Sequence, residues 1–169
     1  MFDDVDQDQE IGSVTIDGEE YFVNLIWSGS SDKEIYKEQM KLDAQQLGTN
    51  LVCQYSTSSG VNVFGLADPI LGHKNRGYAL AAIIYLTFET SFIGAWQVDH
   101  DEWVLIGAND EGLILIDKAC HGQQEISSLF ESNLNLFPWK KVYSPKFLNL
   151  NEEELDIRDL LKNKVKIKK

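Results

Sequence analysis

Residues 92–116, with the sequence FIGAWQVDHDEWVLIGANDEGLILI, contain three runs rich in aromatic and aliphatic residues. The runs 92–98, 103–108 and 113–116 are separated by two polar turn sequences, 99–102 and 109–112. Connections this short typically join antiparallel neighbours. The stretch therefore predicts a three-stranded antiparallel meander. A helix around 123–132 and a short strand at 139–143 are expected to follow it.

The first half of the chain predicts the element order ββαββα. Two β-rich runs flank Asp17-Gly18, a strong hairpin signal because both central residues of such a turn need positive φ. Ser31 or Asp32 is expected to cap a helix that ends at Gly48. Two strands and a buried helix are then expected at 51–55, 61–66 and 78–88.

These elements predict a mixed α/β (α+β) fold of two small mixed-sheet lobes with a cleft between them. We expect residues 1–10 to form an acidic leader and residues 11–90 the N-terminal α/β lobe. Residues 91–147 are expected to form the second α/β lobe. Residues 148–169 are expected to form a C-terminal helix, with Asn151 as its cap, and a basic tail.

The net charge of −12 argues against nucleic acid as a partner, because a polyanion needs a basic surface. Cys53 and Cys120 lack metal-site or redox-motif spacing and are expected to be buried free thiols of a reducing compartment. No run approaches the roughly 18 to 20 apolar residues that span a bilayer. The N-terminus lacks the pattern of a signal peptide, so we expect a cytosolic chain.

The last eight residues carry five lysines and no acidic residue. Basic residues favour an anionic membrane surface and flank the cytoplasmic side of membrane spans. We therefore interpret this cluster as a juxtamembrane segment that precedes a transmembrane helix expected after Lys169. The membrane-proximal residues are Lys162, Lys164, Lys166, Lys168 and Lys169.

A search for catalytic motifs favours a non-catalytic chain, without catalytic, cofactor-binding or metal sites. There is no phosphate-binding glycine loop, dinucleotide fingerprint or nucleophile elbow. Asp17-Gly18 superficially resembles the phosphate loop of actin-like ATPases, but the carboxylates of Glu19 and Glu20 follow and would repel a triphosphate. The hairpin is the favoured interpretation.

Three weaker patterns stay open as binding sites. His100 lies in an acidic turn, where a solvated tip is favoured over a metal ligand. The acidic residues of 99–102 and 109–112 could meet at one edge of the meander. The loop 72–77, with Lys74 and Arg76, could hold a phosphate at the start of the next helix, although a glycine-containing structural turn is favoured.

Short fragments across residues 12–147 resemble the cytoplasmic region of PilO-type pilin accessory proteins of type IVb pilus machines. They include Ile16-Asp17-Gly18, Leu47-Gly48, Phe92-Ile93-Gly94 and Val142-Tyr143-Ser144-Pro145. The family-motif positions singled out within the fragments are Trp27, Gly72, His73, Gly77, Trp96, Trp103 and Trp139.

The resemblance implies a two-lobed module related to the actin-like scaffold domains of pilus and type II secretion systems. It implies a scaffold that holds the secretion-type pilus assembly ATPase and a polytopic inner-membrane pilus protein in place. It also implies a location at the cytoplasmic face of the bacterial inner membrane. Two alternatives remain, a nucleotide-binding actin-like protein that uses the interlobe cleft and a soluble regulatory module with an incidental basic tail.

Overall fold

A computed structural model describes residues 11–73, 77–145, 147 and 156–161. The described part contains ten strands and four helices, which confirms the mixed α/β class. The strands are β1 (Ser13–Ile16), β2 (Glu19–Phe22), β3 (Ile26–Ser30), β4 (Val52–Ser56), β5 (Asn62–Leu66), β6 (Tyr78–Ala79), β7 (Phe92–Asp99), β8 (Glu102–Ala108), β9 (Ile114–His121) and β10 (Lys141–Tyr143). The helices are α1 (Lys33–Leu47), α2 (Leu80–Phe88), α3 (Gln123–Leu134) and α4 (Ile157–Leu160).

The strands form three small sheets. Sheet A has the order β1-β2-β6, sheet B the order β3-β5-β4, and sheet C the order β10-β7-β8-β9. The pairs β2–β6 and β7–β10 are parallel, and all other pairs are antiparallel. The predicted meander is thus the body of sheet C, and β10 adds a parallel strand at its edge.

Local turn and cap chemistry sets the first elements. Asp17 and Gly18 have φ values of 52° and 82°, so they form the hairpin turn that the sequence predicts. The Asp32 side chain accepts hydrogen bonds from the N–H groups of Glu34 and Ile35 at the start of α1. Gly48 ends α1 in the left-handed conformation. Of the two predicted caps, Asp32 rather than Ser31 is the one used.

Two sequence predictions about the meander are wrong. The third strand does not end at Ile116, because β9 continues through the charged pair Asp117-Lys118 to His121. The two acidic turns also do not share an edge. Turn 99–102 lies at the start of β8 and turn 109–112 near its end, so the length of the strand separates them.

Residues from both sides of position 90 pack into one large hydrophobic cluster. It contains Val14 and Ile16 of β1, most of α2, and Phe92 and Trp96 of β7. Residues 80–85 of α2 are buried along the whole segment, as expected for an apolar helix enclosed on all sides. This core is continuous across residue 90. The proposed lobe boundary near that position stays a prediction.

The end of the chain is described only at 156–161. Asp156 caps α4, and Ile157, Leu160 and Leu161 pack into the large cluster. The predicted cap Asn151 and the five tail lysines lie outside the described residues. Within the described ranges, no helix is long and apolar enough to cross a membrane.

Candidate functional site

A buried junction joins sheet B to sheet C through Asp117. Its Oδ2 atom accepts a hydrogen bond of 2.8 Å from Nε1 of Trp27 and one of 3.1 Å from the N–H of Leu25. The ring of Trp27 lies against Gly65, where a Cβ would come within 2.6 Å of it. The motif position Trp27 therefore acts as a structural link between sheets.

The carboxyl of Asp117 is in a strongly desolvated environment, with only 5% of the residue exposed. Burial raises its pKa above the usual range, and the hydrogen bonds from Trp27 and the backbone oppose that shift. Among the described residues, its Oδ1 atom has no hydrogen-bond partner. Perturbed carboxyls of this kind occur in functional sites and in structural networks alike. The contacts here are those of a structural network.

A second junction joins the two halves at Tyr55. Its hydroxyl donates a hydrogen bond of 2.6 Å to the carbonyl of Gly112 in the β8–β9 turn. The ring stacks on Tyr85 of α2 with centroids 5.5 Å apart. Gly112 has a φ of +90°, and a Cβ there would meet Tyr85 and Thr57. This glycine therefore allows the turn to approach the first half of the chain.

The motif residues Gly72, His73 and Gly77 have packing roles. His73 is buried, accepts at Nδ1 from the N–H of Asp68 (2.8 Å), and lies 2.6 Å from the Gly12 carbonyl through Nε2. A donor at Asp68 and an acceptor at Gly12 fit the neutral ring with its proton on Nε2. Gly72 ends a short 3-10 turn at φ +90°.

The ring of Phe22 ties this loop to sheet A. It stacks on His73 with centroids 4.8 Å apart and lies where a Cβ of Gly77 would come within 3.1 Å. The glycine and histidine of the loop therefore hold the chain against β2. Lys74 and Arg76, the basic residues of the proposed phosphate loop, lie outside the described residues.

Trp96 and Trp103 are buried and border one cavity of about 470 Å³ at the edge of sheet C. Trp96 stacks on Tyr143 and Phe88, and its ring covers Gly94. Trp103 meets Phe147 edge-to-face at 5.3 Å. Two of the seven motif positions are therefore part of the lining of this cavity.

The remaining motif residue, Trp139, closes the turn between α3 and β10. Its Nε1 donates to the carbonyl of Asn133 at 3.2 Å, and its ring packs over Gly107. Its ring therefore packs against β8, and it is not among the residues that line the cavity at the sheet edge.

The two thiols have the environment of structural cysteines. Cys53 and Cys120 are free and buried, as predicted. Burial raises the pKa of each thiol to about 12. Because the thiolate is the reactive form, neither side chain has the environment of a nucleophile.

Asp17, which was considered for nucleotide binding, takes part in an ion pair instead. The Oδ1 of Asp17 accepts a hydrogen bond of 3.0 Å from Nε of Arg158, which also approaches Asp156. His100 is exposed at the tip of the β7–β8 hairpin, as predicted. Among the described residues, no group of three or more His, Cys, Asp or Glu side chains could hold a metal ion.

Sequence reasoning missed Asp117, the residue that links the sheets. The pattern gave little signal, because burial in β9 does not alternate beyond Ile116: Asp117 and Cys120 are buried, whereas Lys118 is exposed on the same face as Cys120. The charged pair at 117–118 resembles the end of a strand. The open edge of β7, described below, was also missed because it depends on where a distant strand stops.

Comparison with known proteins finds this architecture among solved structures. No protein-family model matches the sequence, and no curated protein matches it, so the PilO-type assignment stays a prediction. Among solved structures, the chain is similar to the crystal structure of the cytoplasmic domain of BfpC, with a TM-score of 0.80 and 26% sequence identity. The match covers 95% of this chain and 99% of that domain. The fold described here is therefore that of the BfpC cytoplasmic domain.

Proposed function

We propose that the chain is a cytoplasmic scaffold domain of a type IV pilus biogenesis protein of the inner membrane. The observation that carries the proposal is the similarity to the BfpC cytoplasmic domain over nearly the whole of both chains. That similarity supports a pilus-biogenesis cytoplasmic domain, as in a bundle-forming pilus machine. A shared fold alone would not be sufficient, because one fold hosts many functions.

The proposed role is protein–protein interaction without chemistry of its own. Buried side chains with shifted pKa values take part in packing and in hydrogen bonds that link the sheets. Asp117 holds Trp27, and Tyr55 holds Gly112. These arrangements support a rigid scaffold on which partners assemble.

The proposed partners are a secretion-type pilus assembly ATPase and a polytopic inner-membrane pilus protein. The strongly acidic composition supports a partner with a basic surface, because complementary charge accelerates association and orients the complex. Binding of this kind weakens as salt rises.

The tail lysines are proposed to lie against the anionic membrane surface, next to a transmembrane helix that follows Lys169. Each lysine near such a surface favours binding by about 1 kcal/mol. Five together are therefore sufficient for measurable adsorption to anionic vesicles. An apolar run of about twenty residues directly after Lys169 in the gene would support the anchor.

The partner test is capture of the purified ATPase by the immobilised full chain at two salt concentrations. We expect capture at low salt and at least a tenfold weaker affinity at high salt. The absence of capture at low salt would contradict the proposed ATPase partner. ATP hydrolysis by the chain alone, measured in the same preparation, would contradict the non-catalytic role.

The membrane test uses co-sedimentation with vesicles of phosphatidylcholine containing one third phosphatidylserine. We expect the chain to bind these vesicles and not pure phosphatidylcholine. The matched control replaces the five tail lysines with glutamine and should stay in the supernatant. Equal sedimentation of both chains would show that the tail is not the membrane contact.

A further inference from the structure

Strand β7 has an open edge beyond the end of β10. Strand β7 runs from Phe92 to Asp99, whereas β10 pairs with it only as far as Tyr143 opposite Gly94. In the part of the chain that the structure describes, no strand pairs with this side of β7 after Gly94. The open part continues for about 16 Å at the rise of an extended strand.

The hydrogen-bond pattern shows which backbone groups face this edge. The N–H of Lys141 donates to the carbonyl of Ser91 at 3.2 Å, so alternate β7 residues, counted from Ser91, direct their polar groups toward β10. The register with β8 is unbroken from Phe92 to Gln97. The carbonyl of Ala95 and both backbone groups of Gln97 therefore face the position into which β10 would have continued.

The described pairing of β10 with β7 ends at Tyr143. Ser144 and Pro145 follow, and a proline cannot donate to a ladder. The cavity of about 470 Å³ lies here and is lined by Ala95, Gln97 and Pro145, among others. Gln97 itself is an exposed residue. Space and unpaired backbone groups therefore occur together.

The walls of the cavity define what an occupant must carry. Trp96 and Trp103, with Phe147, give an apolar lining. The buried Nε1 of Trp96 has no hydrogen-bond partner among the described residues. An extended peptide could supply an apolar side chain to this lining.

Charge around the edge favours a basic occupant. Asp99 and Asp101 are exposed at the hairpin tip where β7 ends, and Asp156 is exposed at the opposite wall. The one cation in the described lining, Arg158, is already within 3.0 Å of Asp17 and 3.5 Å of Asp156. The acidic side chains at the hairpin tip are complementary to lysine or arginine on a docked strand.

We propose that the open edge of β7 binds an extended segment of a partner protein, in which apolar and basic side chains alternate. The segment adds a strand to sheet C beside Ala95–Asp99, and its backbone pairs with Ala95 and Gln97. Main-chain pairing gives such complexes their affinity, and pockets for alternate side chains give their specificity. The inference rests on the proposed scaffold function, for which it supplies a docking site.

The test uses the full chain and a synthetic library of capped eight-residue peptides that alternate lysine or arginine with an apolar residue. We expect selected members to bind with micromolar affinity by titration calorimetry. Methylation of alternate backbone amides of a selected peptide should weaken binding at least tenfold, since it removes the donors of a strand. The absence of any binding member, or equal binding of the methylated peptide, would overturn the proposal.

A matched pair of variants locates the binding site. Gln97→Pro removes the edge N–H, which is not used in the β7–β8 ladder, whereas Gln97→Ala removes the side chain and keeps the N–H. We expect a tenfold or greater loss of affinity for Gln97→Pro and less than a threefold change for Gln97→Ala. Equal binding by both variants would overturn the assignment to this edge. If Gln97→Pro does not fold, the methylated peptide on the unmodified chain decides.

Two further measurements separate this inference from the proposed function. ATPase capture that Gln97→Pro leaves unchanged overturns the edge as its docking site, and the scaffold function stands. Peptide binding at the edge without ATPase capture supports the edge and contradicts the ATPase partner. A dimer that Gln97→Pro converts to a monomer in sedimentation would show that a second copy occupies the edge, which overturns the partner assignment.

Discussion

Trp27 and Asp117, ninety positions apart, are joined by a hydrogen bond of 2.8 Å between indole Nε1 and carboxylate Oδ2. The same oxygen accepts the N–H of Leu25. One atom of β9 thus satisfies two donors from the segment that leads into sheet B. Because the contact is buried, the loss of its acceptor should have a larger effect than the loss of its charge.

Asp117→Asn and Asp117→Ala separate these two effects. Asparagine keeps a side-chain oxygen for Trp27 and Leu25, whereas alanine leaves both donors unsatisfied. We expect Asp117→Ala to lower the free energy of unfolding by at least about 2 kcal/mol more than Asp117→Asn. Urea denaturation followed by tryptophan fluorescence measures both values. Equal losses would show that the hydrogen bonds contribute little.

The raised pKa of Asp117 predicts a pH dependence with a definite sign. Between the ordinary carboxyl value of about 4 and the raised folded value, the folded state binds more protons than the unfolded state. The contribution of this group to stability therefore falls as pH rises through that window. Asp117→Asn lacks this loss. The melting temperature of the variant minus that of the unmodified chain should therefore be larger at pH 7 than at pH 4.5. A constant difference across pH would contradict the desolvated carboxyl.

Tyr55→Phe tests the second junction between the halves. The substitution keeps the stack on Tyr85 and removes the hydroxyl that donates to Gly112. We expect a loss of about 1 kcal/mol in the free energy of unfolding. Tyr55→Ala also removes the ring and should cost about 3 kcal/mol or more. If Tyr55→Phe is as stable as the unmodified chain, the hydroxyl is dispensable.

The cysteines give a prediction about reactivity. Cys53 and Cys120 are 0% and 3% exposed, and burial raises both thiol pKa values to about 12. Ellman's reagent should label neither thiol in the folded chain at pH 8, and both in guanidinium chloride. Cys120→Ser provides the control and should reduce the denatured count to one. Rapid labelling of the folded chain would show that one of the two sites opens.

Features governed by neighbouring residues could be predicted from the sequence. The turn at Asp17-Gly18, the Asp32 cap and the Gly48 end of α1 each depend on backbone preferences within a few positions. The meander was also predictable, because two short turns leave its strands only adjacent positions. Such local rules are sufficient to predict the fold class.

Features governed by distant residues could not be predicted in this way. Asp117-Lys118 resembles the end of a strand, and only the donors at Trp27 and Leu25 explain why a carboxylate lies in the interior. The open edge of β7 depends on where β10 ends, at Tyr143, which is fifty-one positions after Phe92, the first residue of β7. His73 appeared as a loop residue, and its role depends on Gly12, sixty-one positions away.

The nucleotide-binding alternative makes the last prediction. The Asp17-Gly18 turn closes a hairpin, and the carboxylate of Asp17 pairs with Arg158. We therefore expect millimolar Mg-ATP to leave the melting temperature unchanged. The measurement is sensitive, because a ligand present at a hundred times its dissociation constant would stabilise the chain by about 2.7 kcal/mol. ATP with EDTA provides the control for metal dependence. A rise of several degrees that Asp17→Asn alters would favour an actin-like nucleotide site at this turn over the scaffold proposed here.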